Sequence, residues 1–386
     1  MSAVLQFELT PQCNMNCAMC YIHEKTEACR SVLPASFWIG QAEQALGQGI
    51  LVISLTGGET LLYPEIDELM ASLSRMGFLL SFNTNGVLVD EERVEWFLQY
   101  CPNKINISLY GASDETYENM CGIEGGFTRV SRAIDLLMKA GLNVYLNGLL
   151  TPFNVKELSA MHSFAAQRGL VLHTSAYAFP HRTESGQSAG SERRPASETK
   201  CRTITGETYR LAPEEAAAAT AANQIILFGK KKASAMAAAA VREIDVREAD
   251  VREAREHGDR RSVWSGACNG GKSHFHISYE GQLHPCAMYQ RSGVSLLIHP
   301  LGEAMEILSR RMEKTSLPDG CRACSRSHIC PVCKAAAYLE TGNTATPPEY
   351  LCQYSEALEK ILRKEADFVP GTLSDSGHFC YRHCID

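Results

Sequence analysis

The sequence predicts an α/β chain: a partial (β/α)6 barrel built on one mostly parallel sheet, then a polar and helical insertion, then a small Cys-rich domain. Three observations carry this. Short apolar runs alternate with amphipathic stretches over residues 1–180. Residues 181–261 lose large apolar side chains and turn first polar, then Ala-, Glu- and Arg-rich. From residue 262 to 360 cysteine recurs while periodic apolar runs thin out, leaving a tail from 361 to 386.

The elements follow in order. Val4 to Leu9 reads as the first strand. Ser36 to Gly47 reads as a helix, with Ser36 as its N-cap. Leu51 to Leu55 is a buried strand, and Pro64 to Met76 a helix stopped by Gly77. Leu79 to Asn83 is a strand, Glu91 to Tyr100 a helix and Lys104 to Leu109 a strand. Phe127 to Ala140 is a helix closed by Gly141, followed by a strand from Asn143 to Leu149. Val155 to Arg168, closed by Gly169, is a helix, and Val171 to Ala176 is the sixth strand. Right-handed crossovers between parallel strands curl such a sheet toward a barrel, with its chemistry at the C-terminal strand ends.

Residues 181 to about 210 read as a loop or disordered excursion. From Pro213 to about His257 helix propensity is high. This stretch holds a five-residue near-repeat: Val241–Asp245, Val246–Asp250 and Val251–Arg255. A period of five fits neither a heptad nor a clean amphipathic stripe, which reads as a solvated helix, the alternative being a helix that helps hold a substrate.

Composition excludes several classes. The chain has 386 residues, 45% apolar and 21% charged, with a net charge of −7, which argues against a general basic surface for nucleic acid. No run approaches the roughly 18 apolar residues of a membrane span. The start, Met1 to Phe7, lacks the basic and apolar regions of a signal peptide, so a cytoplasmic location is expected. In a reducing compartment, 16 cysteines are better read as metal ligands than as disulfides.

Cys13, Cys17 and Cys20 form a Cys-x3-Cys-x2-Cys loop directly after the first strand. Cubane iron–sulfur clusters normally take four cysteines. Three close ligands leave one iron open to a substrate or cofactor. The alternative is a closed zinc site completed by His23 and Cys29. Thr56-Gly57-Gly58-Glu59 follows the second strand, where paired glycines let backbone approach a ligand closely and Glu59 offers a carboxylate to an ammonium group. Asn83-Thr84-Asn85-Gly86 follows the third strand, Ser108-Leu109-Tyr110-Gly111 the fourth, and Asn147 ends the fifth. Together these polar strand ends line one mouth.

On these residues, the stretch from about 4 to 180 resembles the radical S-adenosylmethionine (SAM) superfamily. The resemblance implies a [4Fe–4S] cluster on Cys13, Cys17 and Cys20, with the SAM amino and carboxylate groups on the open iron. It implies that Tyr21 lies near the adenine and that Gly57, Gly58 and Glu59 hold the amino group. Asn83, Asn85, Ser108 and Asn147 join the cofactor-binding set, Ser108 and Asn147 toward ribose and carboxylate. Reductive cleavage of SAM would give a 5′-deoxyadenosyl radical that abstracts a hydrogen atom from the substrate. An electron donor such as flavodoxin or ferredoxin is implied as a partner.

The C-terminal cysteines are Cys268, Cys286, Cys321, Cys324, Cys330, Cys333 and Cys352. Spacing alone allows two zinc sites or two iron–sulfur clusters. With the barrel upstream, the pattern resembles the SPASM domain, which carries two auxiliary [4Fe–4S] clusters. That resemblance implies Cys321, Cys324, Cys330 and Cys352 on the outer cluster and Cys268, Cys286 and Cys333 on the inner one. The stretch from Asn269 to Pro285 has no cysteine but holds His274, His276 and His284; the inner cluster then has an open iron or a ligand from elsewhere, with Cys201, Cys380, Cys384 and His378 as candidates. The tail's own reading is a frayed terminus with reactive thiols or an unrelated metal site. Cys29, Cys101 and Cys121 read as small buried hydrophobes.

Enzymes with this domain pair mostly modify peptides or proteins, as maturases of ribosomally made peptides or as sulfatase-maturating enzymes that make formylglycine. The expected activity is hydrogen abstraction from a peptide or protein, giving a crosslink or related oxidation. With twelve residues before Cys13, no separate N-terminal peptide-binding domain is expected, and the 181–261 insertion is the candidate peptide grip. Rival readings are a small-molecule oxidation, a non-catalytic iron–sulfur electron carrier and a zinc-stabilised binding module. No catalytic base is assigned by the sequence.

Overall fold

The computed structural model describes residues 3–22, 32–181, 209–256 and 268–366. Six β–α repeats open the chain. The strands are β1 (Val4–Glu8), β2 (Val52–Thr56), β3 (Leu79–Thr84), β4 (Lys104–Ser108), β5 (Val144–Leu149) and β6 (Leu172–Ser175). Between them run α1 (Ala35–Gly47), α2 (Ile66–Met76), α3 (Glu91–Tyr100), α4 (Asp114–Cys121), α5 (Gly126–Lys139) and α6 (Leu158–Ala166). The insertion supplies α7 (Pro213–Phe228) and α8 (Lys230–Glu256). The Cys-rich end has β7 (His274–Ile277), β8 (Gln282–His284), β9 (Val294–Ser295), α9 (Leu301–Glu313), α10 (Asp319–Arg322), α11 (Lys334–Thr341) and α12 (Glu349–Ala366).

All nine strands form one sheet in the order β6-β5-β4-β3-β2-β1-β7-β8-β9. From β6 through β7 every pairing is parallel; β8 and β9 add an antiparallel edge. Six β–α repeats in sequential order are the partial barrel the sequence predicts.

Register separates two faces, because side chains alternate along each strand. Leu5 lies opposite Ile53 and Phe275, Phe7 opposite Leu55 and Ile277, Phe82 opposite Ile105, and Ile107 opposite Leu146. These side chains and the helices form the main core, around Trp38, Leu69 and Phe97. The opposite face carries Gln6, Glu8, Ser54, Ser81, Asn83, Asn106, Ser108, Asn147, His173, His276 and His284. A sheet with one apolar and one polar face has one side for folding and one side for chemistry.

The helix boundaries correct the sequence reading in three places. Helix α1 starts at Ala35, with Pro34 rather than Ser36 at the N-cap. No local side chain caps it; the Glu65 carboxylate accepts from Ala35 N at 2.6 Å instead. Helix α2 begins at Ile66, because Thr60–Leu62 forms a 3-10 turn first. Helix α4 is an element that the sequence reading does not contain. Ser113 caps it, Asp114 and Glu115 fill its first turn, and Gly122 ends it at φ 65°. Its eight residues carry too few apolar positions to stand out by periodicity.

Helix α8 is not simply solvated. Ala233, Ala237, Ala240 and Ile244 form a buried stripe against α12 and the 3-10 turn Ser325–His328. The spacing of three to four residues is helical, hidden in the sequence because alanine dominates both faces. The Cys-rich stretch also has more apolar core than its composition suggests: Phe275, Ile277, Leu283 and Val294 join the main core.

Candidate active site

The Cys loop leaves β1 at its C-terminal end, and four backbone hydrogen bonds hold it there. Gly58 N donates to Thr10 O at 2.7 Å, and Glu59 N donates to Gln12 O at 2.7 Å. On the other side, Asn16 N donates to Cys121 O and Ala18 N to Met120 O, each at 2.9 Å. The loop is thus pinned between the β2 turn and the end of α4.

This assigns the paired glycines a role. A Cβ on Gly58 would lie 2.3 Å from Gln12 O, and one on Gly57 2.7 Å from Thr10 O. The close approach they permit is to the backbone of the Cys loop itself.

Glu59 is buried at the centre of the mouth. Its Oε1 accepts from Leu61 N at 3.0 Å and from the Thr84 hydroxyl at 2.8 Å; its Oε2 accepts from Asn85 N at 2.8 Å. Burial pushes its pKa up, opposed by these donors. Asn85 carries the network onward: its Nδ2 donates to Asn14 Oδ1 at 2.7 Å and lies 3.8 Å from Cys13 Sγ. Asn83 is engaged differently. Its Nδ2 donates to Ser54 Oγ and Leu55 O, and its Oδ1 accepts from Asn106, so it belongs to a polar ladder across three strands. The Ser108 hydroxyl is hydrogen-bonded to Tyr110, and Asn147 is paired beside Ser108 in register. Tyr21 keeps a ring 38% exposed while its hydroxyl lies 3.4 Å from Glu8 Oε2.

The three thiols are electrostatic neighbours. Burial pushes Cys13 up to about 11, with Cys17 and Glu59 adding to it. Burial pushes Cys20 up to about 12, and Cys17 and Cys13 add to it. Cys17 is raised first by a hydrogen bond with Cys121, then by burial. Three ionised thiols here would repel one another, so the set fits thiolates only around bound positive charge. Cys121 is buried, as expected, yet it is a hydrogen-bond partner of Cys17 and not an inert hydrophobe. Cys101 departs from expectation: it is exposed, in the left-handed region at φ 43°, ending α3. His23, Cys29, Cys201, His378, Cys380 and Cys384 lie outside the described residues.

The C-terminal sulfurs fall into two neighbourhoods. Burial pushes Cys286 up to about 12, followed by Cys333 and Cys268. Burial likewise pushes Cys330 up to about 12, and Cys324, Cys321 and Cys352 then add to it. Cys321, also near 12 through burial, has Cys352 and Cys324 beside it. Cys333 caps α11, with its sulfur accepting from Ala336 N at 3.4 Å. Arg326 lies near Cys324 and is paired with Glu359 at 3.3 Å. Among the described residues, no three His, Cys, Asp or Glu side chains form a group that could hold a single metal ion. The thiols are neighbours, not closed coordination shells.

A cavity of about 480 Å³ lies between α1 and the start of α9, lined by Gln44, Gln48, Pro300, Gly302, Glu303 and Glu306. It contains none of these residues' chemistry. Among the described residues no helix is long and apolar enough to cross a membrane.

Comparison with known proteins places this geometry. The AdoMet-dependent heme synthase of Methanosarcina barkeri is 24% identical over 362 residues, covering 91% of this chain and 96% of that protein. A PqqA peptide cyclase of Gluconobacter oxydans is 27% identical over 174 residues, 44% of this chain and 49% of that protein, so this chain matches about half of the cyclase. The structure of Streptococcus suis SuiB bound to its precursor peptide SuiA superposes with a TM-score of 0.63 at 14% identity, over 92% of this chain and 76% of SuiB. The profile of the Radical SAM superfamily matches residues 7–165, the stretch from β1 through α6 that carries the Cys loop and the polar mouth. Residues 7–165 are thus a Radical SAM domain, of the kind that enzymes of this superfamily carry.

Proposed function

We propose that this chain modifies a peptide or protein by abstracting a hydrogen atom from it, leaving an oxidised product such as a crosslink. The reading is supported above all by the fold, which follows SuiB over 92% of this chain, including the regions beyond the sheet domain. SuiB is solved with a peptide, and the PqqA relative is named for acting on one.

In this reading Cys13, Cys17 and Cys20 hold a [4Fe–4S] cluster, and SAM lies along the mouth formed by Tyr21, Gly57, Gly58, Glu59, Asn85, Ser108 and Asn147. The bound pair supplies one-electron chemistry that breaks a substrate C–H bond. The residues supply placement. Glu59 and Asn85 connect the third strand end to Cys13, so the two sides of the mouth cannot shift independently. Asn83 stiffens the floor through Ser54 and Asn106 rather than by reaching a ligand. The polar sheet face orients the substrate near the reacting centre, where proximity contributes several kcal/mol to catalysis. Cys321, Cys324, Cys330 and Cys352, and separately Cys268, Cys286 and Cys333, would hold two auxiliary clusters, which would supply an electron acceptor. Flavodoxin or ferredoxin is the expected donor, and the cytoplasm the expected location.

Anaerobic incubation of reconstituted protein with SAM, reductant and candidate peptides tests the reading. Deoxyadenosine together with loss of two hydrogens from a peptide supports it; deoxyadenosine with every peptide unchanged sinks the peptide substrate. A second reading, a tetrapyrrole substrate, is favoured by the near-complete coverage of the heme synthase. The same assay with an iron porphyrin precursor separates the two.

A further inference from the structure

The polar face holds a second cluster, outside the cofactor mouth. Glu8 on β1 and His276 on β7 are both completely buried. His276 Nε2 lies 3.2 Å from Glu8 Oε2. His276 Nδ1 lies 3.0 Å from Gln6 Oε1, so both ring nitrogens face oxygen atoms. Glu8 Oε1, also buried, has no hydrogen-bond partner among the described residues. A buried acceptor without a donor is costly, and sites that keep one usually use it. The place matters as much as the pairing. Glu8 is the last residue of β1, five positions before Cys13, on the face shared with Ser54 and Asn83. Its other oxygen faces the Tyr21 hydroxyl beside the Cys loop.

We propose that Glu8, supported by His276 and Gln6, is the base that receives the substrate proton during oxidation. This rests on the hydrogen-abstraction reading above. The substrate gives one hydrogen atom, proton and electron together, to the SAM-derived radical. The carbon radical left behind then loses one electron to an iron–sulfur acceptor held by the C-terminal cysteines. One proton leaves with that electron, from the radical-bearing carbon or the heteroatom beside it, and goes to Glu8 Oε1. The substrate is oxidised by two electrons in total. Protonated on both nitrogens, His276 offsets the carboxylate's charge before transfer, and Gln6 holds the ring so that Nε2 faces Glu8.

Two measurements test this on the full chain. In the metal-free protein, 15N-histidine spectra should show His276 protonated on both ring nitrogens, and Glu8→Gln should shift its Nε2 resonance; a neutral ring or unchanged resonances would overturn the pair. In the reconstituted protein, the peptide that wild type modifies is the probe. Removing a general base costs about 10²–10⁴-fold, so Glu8→Gln should cut product by at least about a hundredfold. Deoxyadenosine should fall far less, raising its ratio to product at least tenfold. Glu8→Asp should recover part of the coupling. A parallel fall of deoxyadenosine and product, with no recovery in Glu8→Asp, assigns Glu8 a merely structural role and overturns the proposal. Absence of deoxyadenosine in wild type defeats the hydrogen-abstraction reading instead, and the histidine spectra then still decide whether the pair exists.

Discussion

The two cysteine regions are built on opposite plans. The amino-terminal trio rides on the end of a central strand and is clamped by backbone hydrogen bonds from the β2 turn and from α4. The carboxy-terminal sulfurs sit on turns, on short helices and, for Cys352, in the first turn of α12, and two of them, Cys321 and Cys330, are themselves part of a small core with Leu317, Val332 and Leu351. In the first region the sheet places the sulfurs. In the second, the sulfurs help make the fold. Position is thus supplied in advance by the sheet in one region, while in the other the sulfurs are part of the packing itself.

The largest effect should come from cutting one ligand in each region. Cys20→Ala should abolish deoxyadenosine formation, a loss of at least about a thousandfold given what such cofactor chemistry supplies. Cys324→Ala should keep deoxyadenosine within about tenfold of wild type while losing modified product. Deoxyadenosine and product, quantified side by side, check both; equal loss in the two variants would erase the contrast.

Backbone strain gives the next test. A methyl group on Gly58 meets Gln12 O at 2.3 Å, whereas one on Gly320 meets only Pro347 Cγ at 3.7 Å. Gly58→Ala should destabilise by about 2–3 kcal/mol, and Gly320→Ala by less than about 1 kcal/mol. Thermal melts of the metal-free proteins measure the difference.

Removing iron should then loosen the regions unequally. Amide exchange over residues 319–333 should accelerate by about tenfold or more, and over β1 hardly at all, because a strand paired on both edges opens only with the sheet. Mass-spectrometric exchange on chelated and loaded protein reads this directly.

The smallest effect is alkaline. Buried Cys20, Cys286 and Cys330 titrate near 12 in the fold, against an ordinary value of 9.0. Between these values the unfolded chain has released protons that the folded chain still holds. Stability of the metal-free protein therefore falls as pH rises above about 9. Melting temperatures from pH 7 to 10.5 should drop progressively, and iron loading should remove the drop.

The repeats of the first sheet were legible because strand and helix periods alternate there, and helices such as α2 and α6 are closed by a glycine with positive φ, Gly77 and Gly169. The Cys loop and the Gly57-Gly58-Glu59 turn were legible as motifs, though the glycines serve the loop's backbone more directly than a ligand. Helix α4 was hidden by its polar composition, and with it the contact of Cys121 to Cys17. The stripe on α8 was masked by alanines. The joining of β7 to β1 could not be read at all: four residues form that strand, and its partner lies about 270 positions earlier. Glu8 and His276 belong to the same blind spot, since nothing local marks a pair made by long-range register.

That ladder between β1 and β7 has a consequence for how the molecule is made. A ribosome releases the first strand long before the segment that will cover its free edge. Until His274 to Ile277 emerge, the nascent sheet offers an unpaired row of amides and carbonyls to any passing strand. Completion of the fold is thereby tied to the last third of synthesis, and a chain stopped short of it would leave the ribosome with a sticky border where the finished enzyme has an interior.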